Sequence, residues 1–500
     1  MSTWTKACSR AVDQRGEKLP PTWCPRAPTG VAAPVSSDGV FRSDPAGALV
    51  SAIVAAIDRA REVVAVSSFL LADERVEHAL ESASRRGVRV YLSLATETRL
   101  DKEVREDSEF DQRALAEHKA MLNKLAGWAL IRSAPDFHAK VVLVDPERGG
   151  PGFLLTANLT KEALTRNEEL GVSLAPDEVS AVFAHLAWAM WEAAEHELVE
   201  PGRLSSVRGP MGVVPKPAGG GAVVATVRER GSIAAAALGV VRSAERELLV
   251  ASFGWDADHE VVREICERAK AGLHVTVLAR VRPAAMPALV ALAAAGARVL
   301  GYPYLHAKAI VADAASGVVM SANLQRHGLD QGVELGVRLD GPRLKATHAV
   351  LSAWVEQAPL ELRLGAVVGE VLGEAQVWTE KQLIPWTVAR EATVELESVT
   401  APSADSLEAE PSAPRRRFGL PHPAHEMTMK WDVAAPRLAL KSKEVDAKLG
   451  KAARPGDPAV FREPNGRVVV AVVNADEVAR AREIAKHVGA AAIVVREKAR

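Results

Sequence analysis

Five hundred residues exceed what one hydrophobic core usually serves, so two or three domains are expected. The composition, 48% hydrophobic and 25% charged, is that of a globular chain, and aromatics at 4% leave little material for base-stacking platforms. A formal net charge of −1 excludes a global pull toward nucleic acid or anionic membrane, so any polyanion site must be a local basic groove.

Cysteine usage and the chain's start bound the compartment. Cys8, Cys24 and Cys266 are odd in number and lack metal-ligand spacing, which argues against a disulfide framework or a zinc site. The opening MSTWTKACSRAVDQRGEK has no apolar signal region. The most apolar stretch, 286–297, is too short to span a bilayer. A cytoplasmic protein is expected.

Residues 1–42 are rich in Pro, Gly and Ser and predict an arm. Ser43-Asp44-Pro45 is a helix start, and Leu49, Ile53 and Ile57 give the helix one buried stripe. The continuous apolar run 63–69 predicts a central strand covered on both faces. A helix near 74–86 and a strand at 88–95 continue the βαβ alternation. The charged segment 101–124 reads as a helix. Strands at 128–132, 138–144, 153–157 and 169–174 follow, then an amphipathic helix at 181–196.

A Gly/Pro-rich linker near 206–227 precedes a second pass through the same elements, with helices at 233–244, 259–271, 284–295 and 344–356. Strands are predicted at 248–253, 274–279, 306–312, 318–322 and 334–339. The chain therefore divides into an arm (1–42), a first lobe (43–205), the linker, a second lobe (228–365) and a C-terminal extension (366–500). The extension contains a linker near 401–425 with the triplet Arg415-Arg416-Arg417, then a strand–helix–strand unit. The two lobes differ in length. Seventy residues separate Ser68 from His138, but 54 separate Ser252 from His306, and most of the excess falls in the charged segment.

Within this repeat sits a constellation that occurs twice. The first copy reads HAKVVLVD from His138, then LLTANLT and NEELGV; the second reads HAKAIVAD from His306, then VMSANLQ and VELGV. Each histidine is followed by a lysine (Lys140, Lys308) and an aspartate (Asp145, Asp313). Thr156 with Asn158 and Ser321 with Asn323 come next. Glu169 and Glu334 each lie 11 residues beyond their asparagine. Of the 13 histidines only these two have lysine at the second position after them. A lone H-x-K is ordinarily a solvated strand residue, but two copies sharing four further positions are not a coincidence of surface residues.

The doubled pattern resembles the phospholipase D superfamily over roughly residues 45–365, with its two H-x-K-x4-D motifs. One departure stands out: the family's glycine before Ser/Thr is Leu155 in one copy and Met320 in the other. The resemblance implies an α/β fold of duplicated lobes, each a mixed sheet flanked by helices. The lobes would be related by a pseudo-twofold axis with both motifs at the seam, and a small α+β extension would follow. It also implies that each glutamate reaches the histidine of the opposite lobe, with His138 as nucleophile and His306 as acid and base. The residues alone allow the opposite assignment.

The residue types fit displacement at phosphorus. One imidazole attacks while the other protonates the leaving oxygen, and the roles then reverse. Lys140, Lys308, Asn158 and Asn323 would hold the phosphate oxygens, and Glu169 and Glu334 would fix the imidazole tautomers. Thr156 and Ser321 are candidate substrate-binding hydroxyls, and Asp145 and Asp313 are expected to be structural. His118 and His259 read as surface residues. Neither a metal nor a cofactor is required by this chemistry. A metal-independent nuclease is the favoured reading, with a phospholipase D or transphosphatidylase acting on lipid head groups as the alternative. An inactive phosphate-binding scaffold is the remaining possibility. The sequence does not give the oligomeric state.

Overall fold

A computed structural model describes residues 3–8, 19–96, 99–100, 109–207, 217, 221–228, 230–366, 375–378, 383–385, 395–400, 459–462, 468–472 and 492–497. The chain forms two units, residues 26–362 and residues 1–25 with 363–500.

The larger unit holds both motif copies. In its first lobe the strands are β1 (Val40–Arg42), β2 (Val63–Ser68), β3 (Arg89–Ala95), β4 (Ala129–Ala134), β5 (Val141–Val144), β6 (Gly152–Leu155) and β7 (Leu170–Leu174). The central β2 is buried at all six positions, as its unbroken apolar run requires. It pairs parallel with β3, which pairs parallel with β4. On its other side β5, β6, β7 and β1 add antiparallel in turn.

The second lobe repeats this order with β8 (Val223–Val227), β9 (Glu247–Ser252), β10 (His274–Arg280), β11 (Arg298–Tyr302), β12 (Ala309–Ala312), β13 (Ser316–Met320) and β14 (Val333–Leu339). Strands β9, β10 and β11 are parallel neighbours, while β12, β13, β14 and β8 extend the sheet antiparallel. Each sheet is thus parallel on one side of its central strand and antiparallel on the other, which is the mixed architecture the resemblance implies. Strand β8 occupies the place that β1 holds in the first lobe, so the stretch predicted as linker already belongs to the second sheet from Val223 onward.

Helices cover the sheets. Helix α1 (Ala48–Asp58) begins where Asp44 accepts the backbone N–H groups of Ala46, Gly47 and Ala48, which fixes the chain as it enters the first turn. Helices α2 (Glu74–Arg85), α3 (Glu109–Leu125) and α4 (Pro176–Trp188) complete the first lobe. The predicted helix 181–196 ends early: a π-helical turn, Ala189–Ala193, follows α4, and His196–Glu200 is a strand against β4. In the second lobe α5 (Ile233–Ser243), α6 (Glu260–Lys270), α7 (Met286–Ala294) and α8 (Gly341–Gln357) take the corresponding places. One apolar core crosses the seam, with Val141, Leu143, Leu154 and Val172 of one lobe and Ala309, Val311, Val319 and Val337 of the other in the same cluster.

Leu155 and Met320, which replace the expected glycines, are fully buried. Their room comes from the strand opposite, because Leu155 faces Gly171 and Met320 faces Gly336. A Cβ built on Gly171 would meet Leu49 Cδ1 at 2.6 Å and Leu155 Cδ2 at 3.1 Å. The glycine of each ELGV segment therefore accommodates the larger residue.

In the smaller unit, five strands form one sheet in the order Glu395–Thr400, Thr3–Cys8, Ala492–Glu497, Val468–Val472 and Ala459–Arg462. Thr22–Pro25 pairs with Gln376–Trp378, which pairs with Leu383–Pro385. Residues 1–42 are accordingly not a single arm: their first part joins the C-terminal extension by long-range strand pairing, and 26–42 belong to the larger unit. The predicted linker at 401–425, its arginine triplet and the predicted helix at 475–488 lie outside the described residues.

Candidate active site

Both motif histidines precede their strands. Regular pairing starts at Val141 and Ala309, three residues beyond His138 and His306. The reason lies in the opposite lobe. The N–H groups of His138 and Ala139 both donate to the carbonyl of Val333, at 3.1 and 2.8 Å. Those of His306 and Ala307 donate to the carbonyl of Glu168, at 3.0 and 2.9 Å. Each HAK segment is thus pinned by backbone bonds across the seam.

The side chains repeat this exchange. His138 Nδ1 lies 2.7 Å from Glu334 Oε1, and His306 Nδ1 lies 2.7 Å from Glu169 Oε1. A carboxylate only accepts, so each imidazole donates from Nδ1 and keeps Nε2 for chemistry. Both glutamates are buried, whereas the histidine side chains remain 16% and 13% exposed, an opening at one end only.

Thr156 Oγ1 donates to Glu169 Oε2 at 2.6 Å while accepting from Leu170 N–H at 2.9 Å. Ser321 makes the same pair of bonds to Glu334 and Leu335. The expectation that Thr156 and Ser321 bind substrate is therefore revised. Their hydroxyls are spent behind the glutamates, fixing the carboxylates that fix the imidazoles.

Lys140 and Lys308 are fully buried. Their ammonium groups donate to the carbonyls of His138 and His306 at 2.7 and 2.5 Å, and Lys308 Nζ lies 3.0 Å from His306 Nδ1. Asn158 and Asn323 each carry a buried Oδ1 with no hydrogen-bond partner, at equivalent places in the two lobes. The equivalent amide oxygen is unpartnered in both copies, so the two asparagines share one environment across the duplication. Asp145 and Asp313 adopt left-handed backbone conformations (φ 44° and 53°). Each accepts three backbone N–H bonds, from Arg61, Glu62 and Val63 and from Glu245, Arg246 and Glu247. They clamp the start of each central strand and stand away from the histidines.

Burial governs the electrostatics. It pushes His306 down to about 3, and the Lys308 and Lys140 charges add to this against the raising effect of Glu169. His138 is lowered by burial and by the same two lysines, against Glu334. Burial also drives Lys308 well below its usual range. For Glu169 and Glu334 burial acts upward, but the facing histidine and the nearby lysine and hydroxyl outweigh it and hold both carboxyls low. The crossed contacts His138–Glu334 and His306–Glu169 bring both motifs around one polar centre. Neutral imidazoles therefore stand beside anionic carboxylates.

Sequence reasoning missed several neighbours of this centre. Phe69 and Phe253 stand edge-on to His138 and His306 at 5.1 and 4.9 Å between centroids. The Ser-Phe pair repeated at 68–69 and 252–253 was the available signal. Arg280 and Arg282 lie over the Phe253 ring at 5.2 and 4.3 Å, forming a basic fringe on the second lobe. His118 and His259 are not surface residues. His118 is fully buried, accepts the Leu71 N–H at 3.1 Å and is pushed down to about 4 by burial. His259 accepts the Val261 N–H at the start of α6 and contacts Asp330. Among the described residues, no group of three or more His, Cys, Asp or Glu side chains is placed to hold a metal ion. No helix among them is long and apolar enough to cross a membrane.

A family model described as cardiolipin synthase, phospholipase D-like domain matches residues 53–191 and 238–356, just over half of the chain, with one segment in each lobe. The chain belongs to the phospholipase D superfamily. Its two matched segments correspond to the two sheets just described, so the duplicated-lobe fold follows from membership as well as from topology.

Among solved structures, this phospholipase D-like chain is similar to a polyphosphate kinase from Porphyromonas gingivalis at 15% identity, TM-score 0.41, over 61% of this chain and 44% of that one. It is similar to phosphatidylserine synthase from Haemophilus influenzae at 10% identity, TM-score 0.46, over 73% and 92%. It is also similar to Nuc, a phospholipase D family member from Salmonella typhimurium, at 20% identity, TM-score 0.24, over 31% and 95%. The chain thus spans less than half the length of the polyphosphate kinase. No curated protein matches it by sequence.

Proposed function

We propose that this phospholipase D-like chain transfers phosphodiesters of phospholipid head groups through a phosphohistidine intermediate. The observation that carries the reaction class is the crossed pair of buried histidine–glutamate contacts, His138–Glu334 and His306–Glu169, around one centre. The family model's description supports a phospholipid over the nucleic acid favoured from sequence. The net charge of −1 and the scarcity of aromatic residues agree, since a strand of phosphates needs an extended basic track or stacking surface.

In the first step Nε2 of His138 attacks phosphorus. The Nε2–P bond forms, the bond to the leaving oxygen breaks, and His306 gives that oxygen its proton. In the second, His306 takes a proton from water or an acceptor alcohol, whose oxygen displaces His138. His306 needs a proton that burial disfavours. The negative phosphate provides the compensation, raising the imidazole's affinity as substrate enters. Lys140 and Lys308 bring their amine groups to the phosphate, whose negative charge favours the protonated form that burial disfavours in Lys308, and the Asn158 and Asn323 amides turn to the phosphate oxygens. Such pre-aimed groups contribute several kcal/mol together. Glu169 and Glu334 orient the rings, and losing either would leave a buried imidazole N–H without its acceptor, at about 1–3 kcal/mol.

The test is the purified chain with EDTA, offered phosphatidylglycerol vesicles, phosphatidylcholine vesicles, single-stranded DNA and RNA. Head-group release or exchange supports the reading. Cleavage of nucleic acid alone replaces it with the nuclease. Inertness toward all of them removes both.

A further inference from the structure

The central strand of each lobe ends on a serine whose hydroxyl no step of the proposed reaction uses. Ser68 closes β2 and Ser252 closes β9, and both are buried. Ser68 Oγ donates to the carbonyl of Leu70 at 2.5 Å and accepts the N–H of Leu159 at 3.1 Å. Ser252 Oγ donates to the carbonyl of Gly254 at 2.8 Å and accepts the N–H of Leu324 at 3.2 Å. The same pair of bonds is thus made twice, and the accepted N–H comes from 91 and 72 residues further along the chain. The neighbouring position is a contrast within the duplication. Ser67 donates to the Ala139 carbonyl at 2.9 Å, but its counterpart in the second lobe is Ala251, so the lobes dispense with that hydroxyl and keep the next.

Each kept hydroxyl joins two parts of the centre. On one side is the turn that carries Phe69 or Phe253, whose ring stands edge-on to the motif histidine of its lobe at 5.1 or 4.9 Å. On the other is the residue directly after Asn158 or Asn323. In the second lobe the turn reaches the asparagine itself, for a Cβ built on Gly254 would lie 3.2 Å from Asn323 Cβ. A phosphate oxygen only accepts, so the amide Nδ2 is the end that has to be aimed. A misplacement of about 1 Å in such a group costs on the order of 10²-fold in rate.

We propose that Ser68 and Ser252 are positioning residues. Each hydroxyl holds the phenylalanine that braces one imidazole at a fixed distance from the asparagine loop of the same lobe, and so aims the amide at phosphate. Being buried, neither hydroxyl meets substrate, and each acts through Asn158 or Asn323. The proposal rests on reading the centre as a phosphate site but not on the substrate being a lipid.

The probe is orthovanadate, a phosphate analogue that takes a five-coordinate form, titrated calorimetrically into the full-length chain and its variants. Ser68→Ala should weaken vanadate about tenfold in the otherwise unaltered chain. In the Asn158→Ala background, where the histidines and lysines still hold the anion, it should cost less than about twofold. Ser252→Ala with Asn323→Ala should behave alike. Ser68→Cys and Ser252→Cys, which keep the volume with a weakly bonding thiol, replace any alanine variant that circular dichroism shows unfolded. Coupling in vanadate binding without turnover of phosphatidylglycerol supports the role of the serines and ends the lipid reading alone. No vanadate binding by the unaltered chain, no loss in the folded serine variants, or an equal loss with and without the asparagine overturns the proposal.

Discussion

The two lobes are alike where the chemistry is proposed and different around it. In each, a histidine leaves its strand to bond a carbonyl of the other lobe, a glutamate crosses the seam, a hydroxyl stands behind it and an asparagine keeps a buried, unpartnered amide oxygen. Beyond that ring the copies diverge. The first lobe has the longer helix α3 and Glu168; the second has the shorter α7, Val333 and the Arg280–Arg282 fringe. The lesson is that the centre needs two equivalent imidazoles, one to bond phosphorus and one to move the proton, whereas a substrate with two unlike ends needs unlike surroundings.

The comparison breaks first at the histidines. His138→Ala and His306→Ala should each lower turnover on the order of 10⁴-fold while circular dichroism shows that the variants remain folded. Full activity in either would end the two-histidine account. Glu169→Gln and Glu334→Gln sharpen it. Both should lose on the order of 10²–10³-fold in kcat, because an amide can present the wrong group to Nδ1 and release the tautomer. A large loss in one and none in the other would show that the exchange across the seam is not equivalent in function.

Much of this centre was legible in the chain. Histidine, lysine, asparagine and glutamate recur at fixed spacing, and the repeat itself carried the fold. The parts that were not legible depend on contacts distant in sequence. The start of β5 at Val141 rather than His138 is set by the Val333 carbonyl, which no local pattern reveals. Thr156 and Ser321 looked like substrate donors because spacing places them near the motif but does not say which way a hydroxyl turns. His118 sits in a charged segment, yet α3 packs its ring against the Leu71 backbone. The first strand, Thr3–Cys8, pairs with strands close to the far end of the chain, so composition could only suggest an arm.

Smaller effects separate the lobes by stability. Asp145→Ala should cost about 2–3 kcal/mol in denaturant unfolding, through three backbone donors left without their acceptor. Asp313→Ala should cost less, because the donors facing Asp313 are more exposed and water can replace the carboxylate. Equal costs would show that exposure does not separate the two clamps. Acid should weaken both lobes. The unfolded chain takes up protons at its histidines near pH 6.5, while the folded centre holds His138 lower and His306 at about 3. Across that window the unfolded state binds more protons, so stability falls as pH drops. The slope should flatten in the His138→Ala and His306→Ala variants, and an unchanged slope would place the titration elsewhere.

The central claim is best tested by acid-quenching the enzyme during a single turnover of phosphatidylglycerol and mapping the adduct by mass spectrometry. A phosphatidyl group on the His138 peptide, absent from His138→Ala, is the predicted result. Product formed with neither His138 nor His306 ever carrying the group would contradict it.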